Sequence, residues 1–138
     1  MNIPVMKALA NQLMDEKRYP ANERSWAALR TTIVRNSRHM IVYSVLGVMA
    51  DIYIRAKQQG GPKWIEGAKL DEPHKFRIDT SESLDETWIL DIPKDVLDWY
   101  GITREQSTQF CMMAMRGFSF PQIGKSILKA VEQVRKVA

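Results

Sequence analysis

The chain has 138 residues, of which 45% are hydrophobic and 26% charged, values that are typical of a globular domain and exclude a disordered chain. The single cysteine, Cys111, excludes an intramolecular disulfide and is consistent with a reducing cytoplasm. We therefore expect a single domain over residues 1–138 and a cytoplasmic location.

The net charge of +4 is unevenly distributed along the chain. Residues 1–63 carry ten Lys and Arg against four Asp and Glu, residues 64–100 carry four against ten, and residues 101–138 carry six against two. Two interpretations are open. The acidic and basic blocks neutralise one another within the fold or across a homo-oligomer interface, or the first basic block binds an external polyanion or phosphate.

The N-terminal third begins with an amphipathic pattern over residues 3–16, which predicts a helix and lacks the cleavage site of a signal peptide. Pro20 restricts the residue before it to extended geometry, which ends this helix. The stretch "NERSWAALRT" predicts a short helix that Asn22 caps. The stretch "TIVRNSR" is ambiguous between a strand and the cap of the next helix.

The stretch "SVLGVMADIYI" is almost wholly apolar, but it is too short to span a bilayer, which needs about 20 apolar residues. Two adjacent apolar stripes predict a buried helix over residues 38–59. Gly47 lowers the helix propensity, so we expect it to allow the close approach of a neighbouring backbone. Asp51 needs a partner if it is buried, and we expect an arginine of the first basic block.

The second half predicts a β-hairpin and three helices. Residues 75–79 and 87–90 alternate polar and apolar side chains across the acidic loop "TSESLDE". The stretch "DIPKDVLDWYG" predicts a short helix, and "TREQ" and "SFPQ" are capping boxes that each begin a helix. The fold class is therefore mainly α (α+β): a helical domain around a buried central helix, with a small antiparallel β-hairpin.

Enzyme motifs are absent from the sequence. There is no glycine-rich phosphate loop, no G-x-S-x-G and no H-E-x-x-H, and His39 and His74 lack metal-ligand spacing. Cys111 lies in the apolar run "FCMMAM", which favours a thiol in the core. We expect a non-enzymatic protein without a cofactor or a metal.

Two surfaces could bind a partner. The C-terminal helices form a helix–turn–helix pattern, and Lys125, Lys129, Arg135 and Lys136 of the second helix could contact DNA phosphates. The first basic block combines arginines, which bind phosphate, with aromatic rings that could stack on a base. The alternative for this block is a solvated basic face with Trp26 in the core. The candidate ligand-binding residues are Arg24, Trp26, Arg30, Arg35, Arg38, Tyr43 and Trp64.

Five segments resemble a family of small phage and prophage proteins: "WAALR", "LGVMADIY", Trp64, "LDIPKDVLDWYGI" and "GFSFPQIGKSI". The family pattern runs W-x-x-A-L-R, C-L-G-V-L-x-D, a tryptophan, L-P-x-x-V-x-x-W-x-G-L and L-N-D-x-G-x-S-F-x-x-I-A-D-x-I. The resemblance covers about residues 26–127 in the same order. The chain departs from the family pattern at two places. Residues 43–45 stand where the family has cysteines before L-G-V, and Met115 and Arg116 stand where the family has Asn-Asp.

The resemblance implies a small accessory protein of a virus that acts in the cytoplasm of the host cell, commonly by binding that disarms host defence. Three hypotheses follow. The first is the capture of an anionic, nucleotide-like ligand by the basic block, and the second is a DNA-binding regulator that uses the C-terminal helices. The third is an inhibitor that binds a host protein through the acidic hairpin. None of them requires a membrane, and the separation of acidic and basic blocks leads us to expect a homo-oligomer.

Overall fold

The computed structural model describes residues 1–15, 17–21, 28–57, 61–66, 69–70, 72–77, 87–88 and 91–137. In these ranges helices dominate, and the strands form a two-stranded sheet, β1-β2, and a three-stranded sheet, β3-β4-β5, both antiparallel. The predicted fold class is thereby confirmed. The elements in chain order are α1 (Ile3–Met14), β1 (Arg30–Arg35), β2 (Arg38–Tyr43), α2 (Val45–Ala56), β3 (Lys63–Ile65), β4 (Lys75–Arg77), β5 (Thr87–Trp88), α3 (Lys94–Tyr100), α4 (Arg104–Met115) and α5 (Phe120–Val137).

The β1–β2 hairpin corrects the helix that the sequence predicted over residues 38–59. Strand β2 occupies the first part of that range, and Asn36 and Ser37 form the turn with φ values of 53° and 61°. Positive φ at both central residues of a two-residue turn matches the twist of a hairpin, and Asn favours that conformation. Ile41 and Val42 therefore belong to a strand. The prediction was wrong because short apolar runs fit the helical and the strand period alike.

The helix predicted for "NERSWAALRT" lies partly outside the described residues, which omit residues 22–27. Its last part is not helical, because Leu29 lies in a bend and Arg30 begins β1. The β-branched residues that follow Arg30 favour the strand. The longest helix of the described chain is α5, with 18 residues, whereas α2 has 12.

Helix α2 is the buried central helix that the sequence predicted. Every residue from Val45 to Asp51 is buried, and the helix contacts α1, α3, α4 and β2. Ser44 caps it by accepting a hydrogen bond from the Gly47 amide at 3.1 Å. A side chain at Gly47 would place its Cβ 1.7 Å from the carbonyl oxygen of Leu29, which confirms that Gly47 allows close backbone approach. Among the described residues, no helix has the length and apolarity that crossing a membrane requires.

Helices α1 and α5 pack along each other and complete the core. Helix α1 buries four apolar residues, including Leu9 and Leu13, and α5 buries Ile123, Ile127 and Val131. A Cβ at Gly124 would lie 2.8 Å from the Ala10 carbonyl oxygen, so the two backbones approach closely there. The C-terminal helix is thus fixed through its apolar face, and its other face is left for solvent.

The caps predicted in the second half are confirmed. The Thr103 hydroxyl accepts from the Gln106 amide while the Gln106 side chain accepts from the Thr103 amide, and Ser119 and Gln122 repeat the arrangement. The predicted hairpin is β4 paired with β5, and β3 adds a third strand on the other edge of β4. These local signals position α4 and α5, whose connecting turn forms one wall of the cleft described below.

Candidate ligand-binding cleft

The structure divides the seven candidate ligand-binding residues into three groups. Arg30, Tyr43 and Trp64 lie together at the start of β1. Arg35 and Arg38 lie at the opposite end of the β1–β2 hairpin, directly across the ladder from each other. Arg24 and Trp26 lie outside the described residues.

Arg30 is held by aromatic rings. Its guanidinium carbon lies 5.0 Å from the centroid of the Trp64 ring and 6.0 Å from that of Tyr43, both within cation–π range. The side chain is only 11% exposed, and its Nη2 meets Glu66 Oε1 at 3.4 Å. The Trp64 ring also contacts Phe76 in an edge arrangement at 5.7 Å. These contacts are internal to the fold, and they favour a structural role for Arg30 and Trp64.

Asp51 lies at the centre of this group. Its carboxylate accepts hydrogen bonds from the Tyr19 hydroxyl at 2.7 Å, from Arg55 Nε at 2.9 Å and from Trp64 Nε1 at 2.9 Å. The expected arginine partner is thus Arg55, one helical turn away. Because Asp51 is 6% exposed, these bonds compensate the cost of burying its charge. Asp51 connects the segment after α1, helix α2 and strand β3.

The two tyrosines of this group are neutral. Burial raises the pKa of Tyr19, and its hydrogen bond to Asp51 raises it further. Burial also raises the pKa of Tyr43, with a smaller contribution from the charge of Asp51. The two rings meet edge to face at 5.0 Å. We name Tyr19, Arg30, Asp51, Arg55 and Trp64 the closed cluster, because they bind one another.

His74 joins the closed cluster to β1. Its amide donates to the Arg30 carbonyl oxygen at 2.8 Å, and its Nε2 lies 3.1 Å from the Thr32 hydroxyl oxygen. Burial lowers the pKa of His74, and the nearby positive charge of Arg30 lowers it further, against an opposing effect of Glu66. Burial therefore favours the neutral imidazole. A neutral His74 fits a structural role better than a role in binding an anion through positive charge.

A cleft opens between the β1–β2 hairpin with its neighbouring segments and the α4–α5 turn, and Tyr19 of the closed cluster borders it. The cavity has a volume of about 650 Å³. One wall comes from the segment after α1, the hairpin and the start of α2, and the other from α4, the turn and the start of α5. The described residues that line it are Tyr19, Pro20, Ala21, Arg35, Tyr43, Ser44, Val45, Cys111, Ala114, Met115, Gly117, Phe118, Ser119, Phe120 and Pro121.

The electrostatics of the cleft favour an anion. Arg35 is the one charged residue among the described lining residues. Arg35 and Arg38 are both exposed, and within the described ranges neither has an ion pair. The first residues of α2 and α5 also line the cleft, and helix N-termini carry partial positive charge. Arg35 is therefore the one full charge among the described lining residues, and it is positive.

Cys111 lines the cleft and is half-buried, whereas the sequence favoured a core position. Burial raises the pKa of this thiol to about 11, and the charge of Asp91 acts in the same direction. The thiol is therefore protonated at neutral pH. A nucleophilic cysteine requires a depressed pKa, so this environment does not favour one.

The helix–turn–helix formed by α4 and α5 exposes a basic stripe. Lys125, Lys129 and Lys136 lie within about 40° of one another around α5 and are exposed. Glu132 lies in the same stripe. At the start of α5, Phe120 is buried and Gln122 is engaged in the capping box. The first turn thus lacks the polar side chains with which a recognition helix reads bases.

Sequence reasoning identified Arg35 and Tyr43 of the cleft but missed its helical wall. Met115 and Phe118 line the cleft with 56% and 44% of their surface exposed. The run "FCMMAM" was interpreted as core because apolar residues are usually buried. The one local signal was Gly117, which ends α4 and turns the next residue outward.

Comparisons with known proteins return no match from family models, curated proteins or solved structures. The resemblance to the phage family therefore depends on the order of its short motifs. The function is inferred from the residues of the cleft.

Proposed function

We propose that this protein is a non-enzymatic binding protein that captures a small anionic, nucleotide-like ligand in the cleft between the β1–β2 hairpin and the α4–α5 turn. The cavity volume of about 650 Å³ supports this, because ligand pockets have volumes of about 300–1,000 Å³. The resemblance to phage proteins supports a role in which the ligand is a host defence signal. Capture would remove that signal from its receptor.

The observation that carries the proposal is the arginine pair at the turn end of the β1–β2 hairpin, of which Arg35 lines the cleft. Arg35 and Arg38 are cross-strand partners, and like charges in that relation destabilise a sheet. Sequences depart from such local rules mainly at functional sites. A phosphate bound beside Arg35 would compensate the repulsion, and arginine binds phosphate with charge-assisted hydrogen bonds. The N-termini of α2 and α5 would add favourable interactions.

Calorimetry with a panel of linear and cyclic nucleotides tests the proposal. Arg35→Ala should reduce affinity by about ten- to a hundredfold, because a hydrogen bond to a charged group contributes about 1.5–3 kcal/mol. Lys129→Ala removes an exposed cation outside the cleft and should leave nucleotide affinity unchanged. The absence of heat with every nucleotide would overturn the proposal, and so would equal losses in both variants.

Cys111 provides a second readout. Because it lines the cleft, a bound ligand should slow its alkylation by iodoacetamide. The measurement is best made at about pH 9, since the thiolate is the reactive form and the pKa of this thiol is raised to about 11. Protection by a nucleotide in the wild type, and its loss in Arg35→Ala, is the expected result. Alkylation at the same rate with and without nucleotide contradicts the proposal.

Capture of a host protein is the alternative within the same class. The acidic loop of residues 80–86 that would make this contact lies outside the described residues. The cleft, in contrast, is lined by described residues with a defined charge pattern. The size of the cleft and the charge of Arg35 are the observations that favour the small ligand.

A DNA-binding regulator is the second candidate, and the exposed stripe of Lys125, Lys129 and Lys136 favours it. A gel shift on mixed-sequence duplex DNA tests this candidate. If α5 contacts phosphates, Lys125→Ala and Lys129→Ala should each weaken retardation and reduce the salt slope by about 1. Retardation that both variants retain would exclude α5 as the DNA-binding surface. Glu132 and the capped first turn make this candidate the weaker one.

A further inference from the structure

The turn between α4 and α5 fixes one aromatic side chain at the cleft. Helix α4 ends in a Schellman motif: the Gly117 amide donates to the Ala114 carbonyl oxygen, and the Phe118 amide donates to that of Met113, both at 3.0 Å. Gly117 has a φ of 94°, which a side-chain-bearing residue rarely adopts. The backbone of Phe118 is therefore held by two successive hydrogen bonds at the mouth of the cleft.

Phe118 departs from the usual pattern of this motif. The residue after the glycine commonly packs its apolar side chain onto the last turn of the helix. Phe118 instead keeps 44% of its surface exposed and lines the cleft beside Met115. Its exposed surface is therefore available to a flat aromatic ligand in the cleft, because aromatic rings pack by offset stacking.

The other aromatic residues near the arginines are less available. Trp64 donates its indole N–H to Asp51, and its ring contacts Arg30 and Phe76. Tyr19 and Tyr43 are 2% and 8% exposed and meet each other edge to face. Among the described residues that line the cleft, Phe118 thus has the most exposed aromatic ring.

We propose that Phe118 is the specificity-determining residue of the cleft, on which the base of a nucleoside phosphate stacks while its phosphate binds at Arg35 on the opposite wall. The inference rests on the proposed function and adds the chemistry of the ligand: a flat aromatic base joined to a phosphate. Met115 supplies a flexible apolar surface beside the ring, which adapts to the base. A simple oxyanion would contact Arg35 and leave Phe118 in solvent.

Calorimetry with adenosine monophosphate, ribose 5-phosphate and inorganic phosphate tests this inference. The wild type should bind adenosine monophosphate more tightly than ribose 5-phosphate. Phe118→Ala should lower the affinity for the nucleotide by about 5- to 150-fold, the range measured for base–aromatic stacking. The same variant should leave the affinity for ribose 5-phosphate unchanged, and Phe118→Trp should retain nucleotide binding.

Met112→Ala is the matched control, because Met112 is also 44% exposed at the end of α4 but does not line the cleft. It should leave all three affinities unchanged. If Phe118→Ala weakens the nucleotide and ribose 5-phosphate equally, or weakens neither, Phe118 does not determine specificity.

The two proposals fail in different ways. If ribose 5-phosphate and the nucleotide bind equally well and depend on Arg35, the anion cleft stands and the role of Phe118 is overturned. If neither these compounds nor any nucleotide of the panel binds, both proposals are overturned.

Discussion

The two ends of strand β1 each carry an arginine near aromatic rings, yet they differ in almost every physical respect. At the first end Arg30 is 11% exposed, between Trp64 and Tyr43. At the other end Arg35 is exposed and lies opposite Arg38, without an ion pair among the described residues. Arg30 therefore belongs to a closed structural cluster, whereas Arg35 lines an open cleft that Tyr19 and Tyr43 of the closed end also border.

The residue types around an arginine do not distinguish a ligand site from a structural cluster. The hydrogen bonds and ion pairs that each charged side chain makes within the fold do distinguish them. In the closed cluster, the Asp51 carboxylate receives three donors from three segments. In the cleft, the positive charge of Arg35 has no counterpart in the lining residues that the structure describes. Substitutions should therefore affect stability at the first end and binding at the second.

Asp51→Ala should have the largest effect on stability. It removes the acceptor of Tyr19, Arg55 and Trp64, and each of the buried neutral donors of Tyr19 and Trp64 left unpaired should lower the free energy of unfolding by about 1–3 kcal/mol. Urea unfolding measures this loss. The control is Asp98→Ala, whose exposed pair with Lys94 at 3.9 Å should contribute less than about 1 kcal/mol. Equal losses in the two variants would show that the cluster is not a structural centre.

Gly47→Ala should have the next largest effect, because α2 supports both regions. Its Cβ would overlap the Leu29 carbonyl oxygen at 1.7 Å, and backbone has to move to accommodate it. We expect a loss of about 3 kcal/mol, at the upper end for overpacking. Gly124→Ala meets the Ala10 carbonyl oxygen at 2.8 Å and should cost less. Thermal melting compares the stability losses of the two variants. A larger loss in Gly124→Ala than in Gly47→Ala would contradict the close packing proposed for α2.

The helix ends were predictable because their signals are local. The capping boxes at Thr103 and Ser119 each need only the residue three positions later, and both formed as expected. The β1–β2 hairpin was harder, since its apolar residues satisfied a helical stripe as well as a strand. What distinguished the two was the positive φ of Asn36 and Ser37, a conformation that Asn adopts readily and Ser does not.

The candidate site was predictable only in part. The spacing of arginines identified Arg35, and the prediction that Gly47 meets a backbone is confirmed. Phe118 could not be found this way, because an apolar residue after a helix-ending glycine normally packs on that helix. The cleft that it lines is formed together with the hairpin, which is distant in sequence.

The stability of the closed end should depend on pH through His74. Burial lowers the pKa of His74 in the folded state, so between that value and the unfolded value of about 6.5 the unfolded chain binds more protons. Its contribution is therefore fully present above about pH 6.5 and is lost as the pH falls towards the folded pKa, by at most about 1.4 kcal/mol per pH unit. Melting temperatures between about pH 5 and 7 should show a weaker dependence in His74→Gln than in the wild type.

His39→Gln is the matched control for His74, since His39 is exposed on β2. It should leave the pH dependence of the melting temperature unchanged. If His74→Gln and the wild type have the same dependence, the imidazole does not link the closed end to protonation.

The smallest expected effect concerns the open end, where removing a charge should stabilise the fold. Arg35 and Arg38 are cross-strand partners, so Arg35→Thr and Arg38→Thr should each raise the free energy of unfolding by about 0.2–1 kcal/mol by relieving repulsion. The double variant should gain less than the sum, because either substitution already removes the repulsion. Urea unfolding at low and high salt measures these differences, which should shrink as salt screens the charges.

Arg35→Thr should at the same time lose nucleotide affinity. A loss of stability in Arg35→Thr would mean that Arg35 is held by contacts of the fold, as Arg30 is, and that the two ends of β1 do not differ in the way proposed.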